Sequence, residues 1–437
     1  MRDRGTLLAA AGIAAAFLVA GVLFLYQKRT EEAVQHAAEE ADAADRARFE
    51  ADPEKWRAER GLNSIKQIPI VASDPAIAKG VELLRDQQSA DGAWRSSVYA
   101  TFKNGPALTP LVVCALQEAG VPGNTAAIRK GCEYLAKLVI PDSTIEGDDG
   151  GLDYPVYSAA LTVKALSHPD QKDLLKARDA WLKFLLDRQL TEKFGWKPED
   201  KQYGGWGYCR FIPKKQEPGA IAPPLIESNL SATVFALEAL KAAGVKDHEV
   251  YERAMVFVRR CQNHDLPVES ALMDTKDGGF HFIYDDPVRN KAGSMTLQPE
   301  KFKLFFSYGS ATADGLRCLL LEDRIDARRT LAATNWLKTN FKPDSHPGGY
   351  VKAQESNREA VYYYYAASVS KALRAAKVTE AGGKPWAAAL ATELVNRQKP
   401  DGSWANPVEL VRENEPLVAT ANAIIALANC KAALVGK

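Results

Sequence analysis

The chain has 437 residues, 56 Lys and Arg against 55 Asp and Glu, and 46% hydrophobic residues. These values are typical of a globular protein and exclude a disordered or fibrous one. A formal net charge of +1, without a local cluster of Lys and Arg, excludes an electrostatic surface for nucleic acid. Six scattered cysteines with no close pair predict neither a disulfide framework nor a thiolate zinc site.

The first predicted element is a transmembrane helix. After a short tail of residues 1–5, residues 6–26 (TLLAAAGIAAAFLVAGVLFLY) contain no charged side chain. About 20 apolar residues cross a hydrocarbon core of about 30 Å as a helix. A cleaved signal peptide is the alternative, because Arg2 and Arg4 resemble its basic start, but the apolar run is longer than usual and lacks a cleavage motif. We therefore expect a single-pass membrane protein with the lipid bilayer as a partner.

A polar helical stalk is predicted for residues 27–63, because Ala, Glu and Arg dominate and opposite charges recur three or four positions apart. No apolar heptad is sustained, which disfavours a partner-binding coiled coil. Basic residues flank the apolar helix on both sides and nearly balance under the positive-inside rule. We expect the domain that follows the stalk to lie on the extracytoplasmic side of the membrane.

Helical periodicity dominates residues 73–437, where two kinds of helix alternate. Outer helices carry Lys, Arg and Glu, whereas inner helices are rich in Ala, Ser, Thr, Leu and Val. The outer helices are predicted at Ala76–Gln88, Ala126–Val139, Asp173–Gln189, His248–Gln262, Asp326–Asn340 and Lys384–Gln398. The inner helices are predicted at Ala107–Gly120, Tyr154–Ser167, Ser228–Gly244, Tyr308–Asp323, Ala360–Ala376 and Pro416–Cys430. Each helical hairpin can bury its apolar face only against neighbouring hairpins, so the six must stack or close into a ring. The pattern predicts an all-α fold, an (α/α)6 toroid.

A glycine-bearing, usually aromatic turn lies between each outer helix and its inner partner. Two turns follow the pattern Q-x3-G-x-W, with the residues Gln88, Gly92 and Trp94, and Gln398, Gly402 and Trp404. The other four turns are degenerate versions. This repeat resembles that of squalene and oxidosqualene cyclases, and the chain is similar to one toroid of the terpenoid cyclase and protein prenyltransferase superfamily. The resemblance implies that the Gln and Trp tie neighbouring outer helices together, which is a structural role.

The chemistry implied by the resemblance depends on an acid that this chain replaces. Type II cyclases protonate an alkene with an aspartic acid in D-x-D-D-T-A at the mouth of an inner helix, and the matching segment here begins at Glu227. Asn229 stands at the proton-donating position, with Leu230 beside it. An amide cannot deliver a proton to an alkene, so we do not expect the family's protonation route. Glu227 is a candidate acid, although a carboxylate at a helix start needs no catalytic role.

Other candidate residues come from carboxylates and aromatics near the expected mouth of the ring. Asp314 lies inside the fourth inner helix, where a charge is costly unless it faces a wet cavity or a partner such as Arg317. Asp153 is a further candidate, although Asp in a loop is more often a turn former. The predicted cavity residues are Asn229, Tyr308 and Tyr362. Aromatic faces stabilise carbocations in the cyclases that this chain resembles.

No metal and no cofactor are expected. Protein prenyltransferases hold zinc with an Asp and a Cys at the head of an inner helix, but Tyr308 and Ser310 occupy those positions here. Cys261, His264 and His281 carry donor atoms that suit zinc, but scattered residues of this kind are more often surface and core positions.

The leading hypothesis is a membrane-anchored toroid that binds or processes an isoprenoid or another lipid, with any catalysis departing from the cyclase acid. If the protein is an enzyme, the resemblance implies a terpene cyclase-like or isomerase-like activity on an isoprenoid. A non-catalytic scaffold for a protein partner at the membrane and an (α/α)6 carbohydrate-active enzyme are the alternatives. An apolar aromatic cavity favours lipid, a filled one favours the scaffold, and an open cleft with paired carboxylates favours sugar.

Overall fold

The computed structural model describes residue 51 and residues 73–436, except residues 143, 148, 265–275, 285, 287–288, 298–301 and 323–325. The predicted transmembrane helix at residues 6–26, and the predicted stalk apart from Ala51, lie outside the described residues. Within the described part, one helix, Pro416–Leu434, is long and apolar enough to cross a membrane, and 67% of its apolar stretch is buried. A core helix of a globular domain has the same properties, so this helix is weak support for a membrane span.

Fourteen α-helices are present in the described chain. In chain order they are α1 (Ser73–Asp86), α2 (Ala100–Lys103), α3 (Thr109–Ala119), α4 (Thr125–Lys137), α5 (Pro155–Leu166), α6 (Leu175–Leu186), α7 (Leu230–Ala242), α8 (His248–Arg260), α9 (Gly309–Leu321), α10 (Ala327–Asn340), α11 (Asn357–Ala360), α12 (Tyr362–Ala375), α13 (Trp386–Asn396) and α14 (Pro416–Leu434). Two antiparallel pairs of short strands lie in connections: β1 (Ser294–Leu297) with β2 (Phe302–Phe305), and β3 (Glu380–Ala381) with β4 (Lys384–Pro385). Short 3₁₀ turns occur at Pro169–Leu174, Glu192–Phe194 and Lys352–Gln354.

Six inner helices form a closed ring. Each packs against the next in the order α3, α5, α7, α9, α12 and α14, and α14 packs against α3. The outer helices are α1, α4, α6, α8, α10 and α13. Each of them packs against at least one inner helix, and α13 also contacts α1 across the point of closure. The inner helices are apolar on most sides because neighbouring helices surround them. The prediction of a mostly helical (α/α)6 toroid is therefore confirmed.

Four of the six turns share one pattern of hydrogen bonds. In each, a Gln side chain after the outer helix donates to the carbonyl of its own turn glycine and to a carbonyl in the first turn of the next outer helix. The Gln residues and their distant acceptors are Gln88 with Ala127, Gln189 with Val250, Gln262 with Arg329, and Gln398 with Ala76, at 2.9, 3.0, 3.0 and 2.9 Å. These bonds link four of the six pairs of neighbouring outer helices directly.

The aromatic residues of these four turns are fully buried between the two layers of helices. Trp94, Trp206 and Trp404 donate their indole N–H groups to carbonyls at the end of the preceding outer helix, and Phe280 takes the equivalent place in the fourth turn. The backbone N–H of each aromatic residue also bonds to a threonine hydroxyl of the following inner helix, at Thr109, Thr233, Thr312 and Thr420. The turn therefore joins an outer helix, the next outer helix and an inner helix.

The third and fourth turns differ from the expected degenerate form because segments are inserted into an otherwise complete turn. Gln88 and its turn glycine are four residues apart, whereas Gln189 and Gly204 are 15 apart and Gln262 and Gly278 are 16 apart. The spacing from the glycine to the aromatic residue is unchanged. A pattern that requires fixed spacing between Gln and Gly does not detect these two turns.

Gly204 provides a test of the turn geometry. Its φ is +88°, and an added Cβ would lie 1.8 Å from the carbonyl oxygen of Arg253 on α8. We expect Gly204→Ala to lower the free energy of unfolding by about 2–4 kcal/mol, because a left-handed backbone and a backbone clash act together. Gly219 is the matched control, since its φ is +89° but nothing lies within 4 Å of an added Cβ. Gly219→Ala should cost only about 1 kcal/mol.

Both variants are measured by urea unfolding of the full chain. Equal losses of stability in Gly204→Ala and Gly219→Ala would contradict the close approach of the third turn to α8.

Candidate functional site

We call the interior of the ring of inner helices the lumen. Tyrosine and lysine side chains line it at the spacing of two helical turns. Tyr157 and Lys164 are seven residues apart on α5, and Tyr364 and Lys371 are seven apart on α12. Two turns of helix separate each pair, so the lysines lie about 10 Å further along the helix axis than the tyrosines. Phe235 of α7 approaches Tyr364 of α12 with 6.2 Å between ring centroids, although α9 lies between these helices in the ring. These side chains therefore meet across the lumen.

An aromatic layer occupies the N-terminal half of the lumen and consists of Tyr154, Tyr157, Tyr208, Phe235 and Tyr364. Tyr157 packs edge-on against Phe235 at 5.0 Å, and Tyr154 packs edge-on against Tyr208 at 5.8 Å. All five side chains keep partial solvent exposure even though most of them belong to inner helices. Burial raises the pKa of Tyr157 and of Tyr208 well above the usual value, so these hydroxyls stay neutral. This part of the lumen is therefore lined by aromatic rings that retain some accessible surface.

An arginine lies against the outer edge of the aromatic layer. Arg412 donates to the hydroxyl of Thr101 at 2.6 Å and to the hydroxyl of Tyr154. Its guanidinium lies 5.5 Å from the ring centroids of Tyr99 and Tyr154 and 5.7 Å from that of Phe102. The aromatic faces hold this cation by cation–π attraction.

Glu413 is a buried carboxyl group that the sequence analysis did not select. It accepts the backbone N–H groups of Tyr363 and Tyr364, at 2.9 and 2.7 Å, at the start of α12. Burial raises the pKa of Glu413 to about 8, although these two backbone hydrogen bonds favour the charged form. Its contacts are those of a residue that caps the N-terminus of α12.

Asp314 lies between the aromatic layer and the C-terminal ends of the inner helices. One carboxylate oxygen accepts from Ser231 at 2.9 Å and from Tyr364 at 2.7 Å. The other accepts from Arg317 at 2.9 Å and from Ser368. Burial raises the pKa of Asp314, and the guanidinium of Arg317 opposes this rise. The structure thus places Asp314 beside the partner that the sequence suggested, and its catalytic role stays a prediction.

The segment that matches the cyclase acid motif begins α7. The side-chain oxygen of Asn229 accepts the backbone N–H of Ala232 at 2.8 Å, which makes Asn229 the N-cap of the helix. Leu230 is fully buried. Glu227 forms an ion pair with Arg289 at 3.0 Å, and its side chain is 37% exposed. Each residue of this segment therefore has a structural partner or position.

The remaining candidates have contacts of their own. Asp153 forms an ion pair with Arg210. Tyr308 packs edge-on against His346 at 5.6 Å, and Tyr362 donates its hydroxyl to the carbonyl of Pro343 at 2.7 Å. Both tyrosines are at most 1% exposed, so they belong to the packed core and not to the accessible lining of the lumen.

The sequence also raised three zinc-compatible residues. Cys261 and His281 are buried. Burial alone lowers the pKa of His281 to about 3. Among the described residues, no group of three or more His, Cys, Asp or Glu has the geometry to hold a metal ion.

A charged layer lines a cavity of about 550 Å³ at the C-terminal ends of the inner helices. It takes one side chain from each of the six inner helices: Glu118, Lys164, Glu238, Arg317, Lys371 and Asn429. Arg374 and the apolar residues Leu320, Leu321 and Ala428 also line the cavity. The two ends of the lumen therefore differ sharply in chemistry.

Ion pairs connect the charged layer. Lys164 lies 3.0 Å from Glu118 and 3.5 Å from Glu238, and Arg317 lies 2.5 Å from Glu238. Lys371 reaches Glu118 across the lumen at 3.0 Å. Burial disfavours the charge on Glu118, but Lys164 and Lys371 outweigh it and lower the pKa to about 2. Burial has the same effect on Glu238, and Arg317 and Lys164 likewise hold its pKa well below the usual value. Both carboxylates are ionised at neutral pH.

Sequence reasoning selected Arg317 only as a partner of Asp314 and did not select the rest of the charged layer. A signal was present, because each inner helix carries a charged or amide side chain near its C-terminal end within an otherwise apolar run. Only the closure of the ring shows that these six positions meet.

Comparison with solved structures identifies the architecture. Type II terpene cyclase MstE from Scytonema, in complex with geranylgeranyl dihydroxybenzoate, matches with a TM-score of 0.53 at 12% identity, over 83% of this chain and 98% of that chain. The chain has a terpenoid cyclase-like toroid fold. A second complex of the same enzyme matches with a TM-score of 0.51 at 13% identity, over 83% and 99% of the two chains.

Another toroid with a different activity matches equally well. An unsaturated glucuronyl hydrolase specific for heparin gives a TM-score of 0.51 at 13% identity, over 84% of this chain and 98% of that chain. No protein-family model and no curated protein sequence matches the chain. Likeness at such low identity shows the fold alone, and it confirms the resemblance inferred from the sequence repeats at that level.

Proposed function

We propose that this protein is a membrane-anchored toroid that binds an isoprenoid or another lipid in the N-terminal half of its lumen. The observation that carries this proposal is the aromatic layer, whose side chains face the lumen and keep accessible surface. Aromatic faces bury hydrocarbon effectively and attract developing positive charge. The similarly folded cyclase holds a molecule with a geranylgeranyl chain. The apolar residues 6–26 supply the anchor in this proposal, with the toroid on the extracytoplasmic side.

We propose that the protein binds its ligand without the protonation step of type II cyclases. The contacts of the candidate acids support this form of the proposal. Asn229 caps a helix, and Glu227 is paired with Arg289. The carboxylate of Asp314 accepts from four side chains. Should the protein act on its ligand, Asp314 is the candidate acid, because its carboxylate accepts a hydrogen bond from the Tyr364 side chain of the aromatic layer.

The carbohydrate-active alternative has less support. Glu118 and Glu238 are paired carboxylates in an open cavity, which is the arrangement expected for a glycosidase. A glycosidase needs one of its two carboxyl groups protonated as the general acid. The surrounding cations lower the pKa of both groups, so neither can donate a proton near neutral pH.

The proposal is tested by mass spectrometry of lipids that copurify with the full-length protein in detergent. We expect an isoprenoid or a related lipid in the wild type, and about a tenfold loss in Phe235→Gln, because an amide replaces an aromatic side chain in the lumen. The matched control is Phe211→Gln, since Phe211 is 51% exposed outside the aromatic layer.

Two results would contradict lipid binding in the lumen. One is a wild-type protein that carries no specific lipid. The other is an equal loss of bound lipid in Phe235→Gln and Phe211→Gln.

A further inference from the structure

The charged layer offers more hydrogen-bond donors than its carboxylates accept. The cavity is lined by four cationic side chains, Lys164, Arg317, Lys371 and Arg374, and by two anionic ones, Glu118 and Glu238. A single oxygen of Glu118 accepts from both Lys164 and Lys371 at 3.0 Å, and its other oxygen accepts from Asn429 at 3.1 Å. Glu238 forms ion pairs with Arg317 at 2.5 Å and with Lys164 at 3.5 Å. Every carboxylate oxygen therefore already faces at least one donor, whereas further N–H donors remain in the cavity.

Two of the remaining donors lie side by side. Lys371 and Arg374 are three residues apart on α12, so they share a face of the helix and both line the cavity. An ammonium group has three N–H donors, and within the described part of the chain Lys371 forms its ion pair with Glu118. The exposed side chain of Arg374 forms no ion pair or hydrogen bond with another described residue. Its place in the last turn of α12 suits the helix dipole, which accounts for a cation there but not for its position in the cavity lining.

We propose that this cavity binds a small multivalent oxyanion between Lys371 and Arg374. Guanidinium and ammonium groups are the donors with which proteins hold carboxylate and phosphate oxygens. The bound anion supplies acceptors for Arg374 and a second acceptor for Lys371, and it reduces the repulsion among Lys164, Arg317 and Lys371. A volume of about 550 Å³ accommodates either a phosphate compound or a di- or tricarboxylate.

This site is separate from the proposed lipid site. The lysines of the charged layer lie two helical turns from the tyrosines of the aromatic layer, and Asp314 with its four partners lies between the two layers. Binding of an oxyanion therefore does not depend on binding of a lipid, and either proposal can fail alone.

Calorimetric titration of the full-length protein in detergent, with inorganic phosphate and with citrate at constant ionic strength, tests the inference. We expect saturable binding of at least one of these anions. Binding of phosphate alone assigns a phosphate group as the ligand, and binding of citrate alone assigns a carboxylate. Arg374→Gln and Lys371→Gln should each weaken binding about tenfold, because a charge-assisted hydrogen bond is lost.

The matched control is Arg328→Gln, which makes the same change of charge at an exposed position on outer helix α10. It should leave the affinity unchanged. Lys371→Gln also removes a partner of Glu118, so the exposed Arg374→Gln decides the outcome if Lys371→Gln does not fold. Absence of saturable binding in the wild type, or equal weakening by Arg328→Gln and Arg374→Gln, would overturn the inference.

Discussion

Replacing Trp94 or Trp404 with Ala should lower the free energy of unfolding by about 3–5 kcal/mol in each case. Both side chains are fully buried. The indole of Trp94 donates to the carbonyl of Leu84 at 2.5 Å, and that of Trp404 donates to Leu394 at 2.7 Å. Each substitution removes a large aromatic side chain and leaves one of these carbonyls without its donor, so the losses of packing and of hydrogen bonding add.

The neighbouring helices cannot close the resulting cavity. An added Cβ on Gly131 of α4 would lie 2.9 Å from the ring of Trp94, and one on Gly80 of α1 would lie 2.8 Å from the ring of Trp404. Each indole thus packs directly against the backbone of the next outer helix. Urea unfolding of the full chain, followed by circular dichroism, measures the loss.

Phe211→Ala is the control for these two variants, because Phe211 is 51% exposed. It should cost less than about 1 kcal/mol. Unchanged unfolding midpoints in both Trp94→Ala and Trp404→Ala would mean that the turns do not join the outer helices, and the closed ring would be wrong.

The sequence predicted the fold because the inner and outer helices have different environments. An inner helix is surrounded by neighbours and is therefore apolar on most sides, whereas an outer helix has one face in water. The predicted inner helix at Tyr154–Ser167 is observed at Pro155–Leu166, and the predicted outer helix at His248–Gln262 is observed at His248–Arg260. The solvent exposure of a helix determines which of its own residues are apolar. The pattern can therefore be read from the sequence of each helix by itself.

The charged layer is harder to predict because it depends on contacts between distant residues. Glu118 and Asn429 are 311 residues apart in the chain but lie 3.1 Å apart across the closure of the ring. Glu238 and Arg317 are 79 apart and belong to neighbouring inner helices. By contrast, Asp314 and Arg317 are three residues apart on one helix, and the sequence predicts their contact. Local spacing reveals pairs within a helix, whereas the cavity arises only after the helices close into a ring.

Replacing Arg317 with Met should destabilise the protein by about 3–5 kcal/mol, because the buried carboxylate of Asp314 and the partly buried one of Glu238 lose their main cation. The Arg317 side chain is 5% exposed and pairs with Glu238 at 2.5 Å and with Asp314 at 2.9 Å. The matched control is Arg95→Met, which breaks an ion pair with Asp91 whose side chains are 33% and 50% exposed. An exposed pair contributes less than about 1 kcal/mol, so Arg95→Met should have a small effect.

The stability lost in Arg317→Met should be smaller at pH 5 than at pH 8. Burial already raises the pKa of Asp314 above its usual value of 3.8, and Arg317 restrains that rise, so its removal raises the pKa further. A carboxyl group whose pKa is higher in the folded than in the unfolded state binds its proton more tightly when folded, and folding is then favoured as the pH falls. Asp314→Asn in the Arg317→Met background should restore part of the stability at pH 8 and reduce the difference between the two pH values, because a neutral amide replaces the unpaired charge. Urea unfolding of Arg317→Met and of the double variant at pH 5 and pH 8 measures how far the stability loss depends on the charge of Asp314. An equal loss for Arg317→Met at pH 5 and pH 8 would show that Asp314 and Glu238 do not depend on Arg317 for their charge.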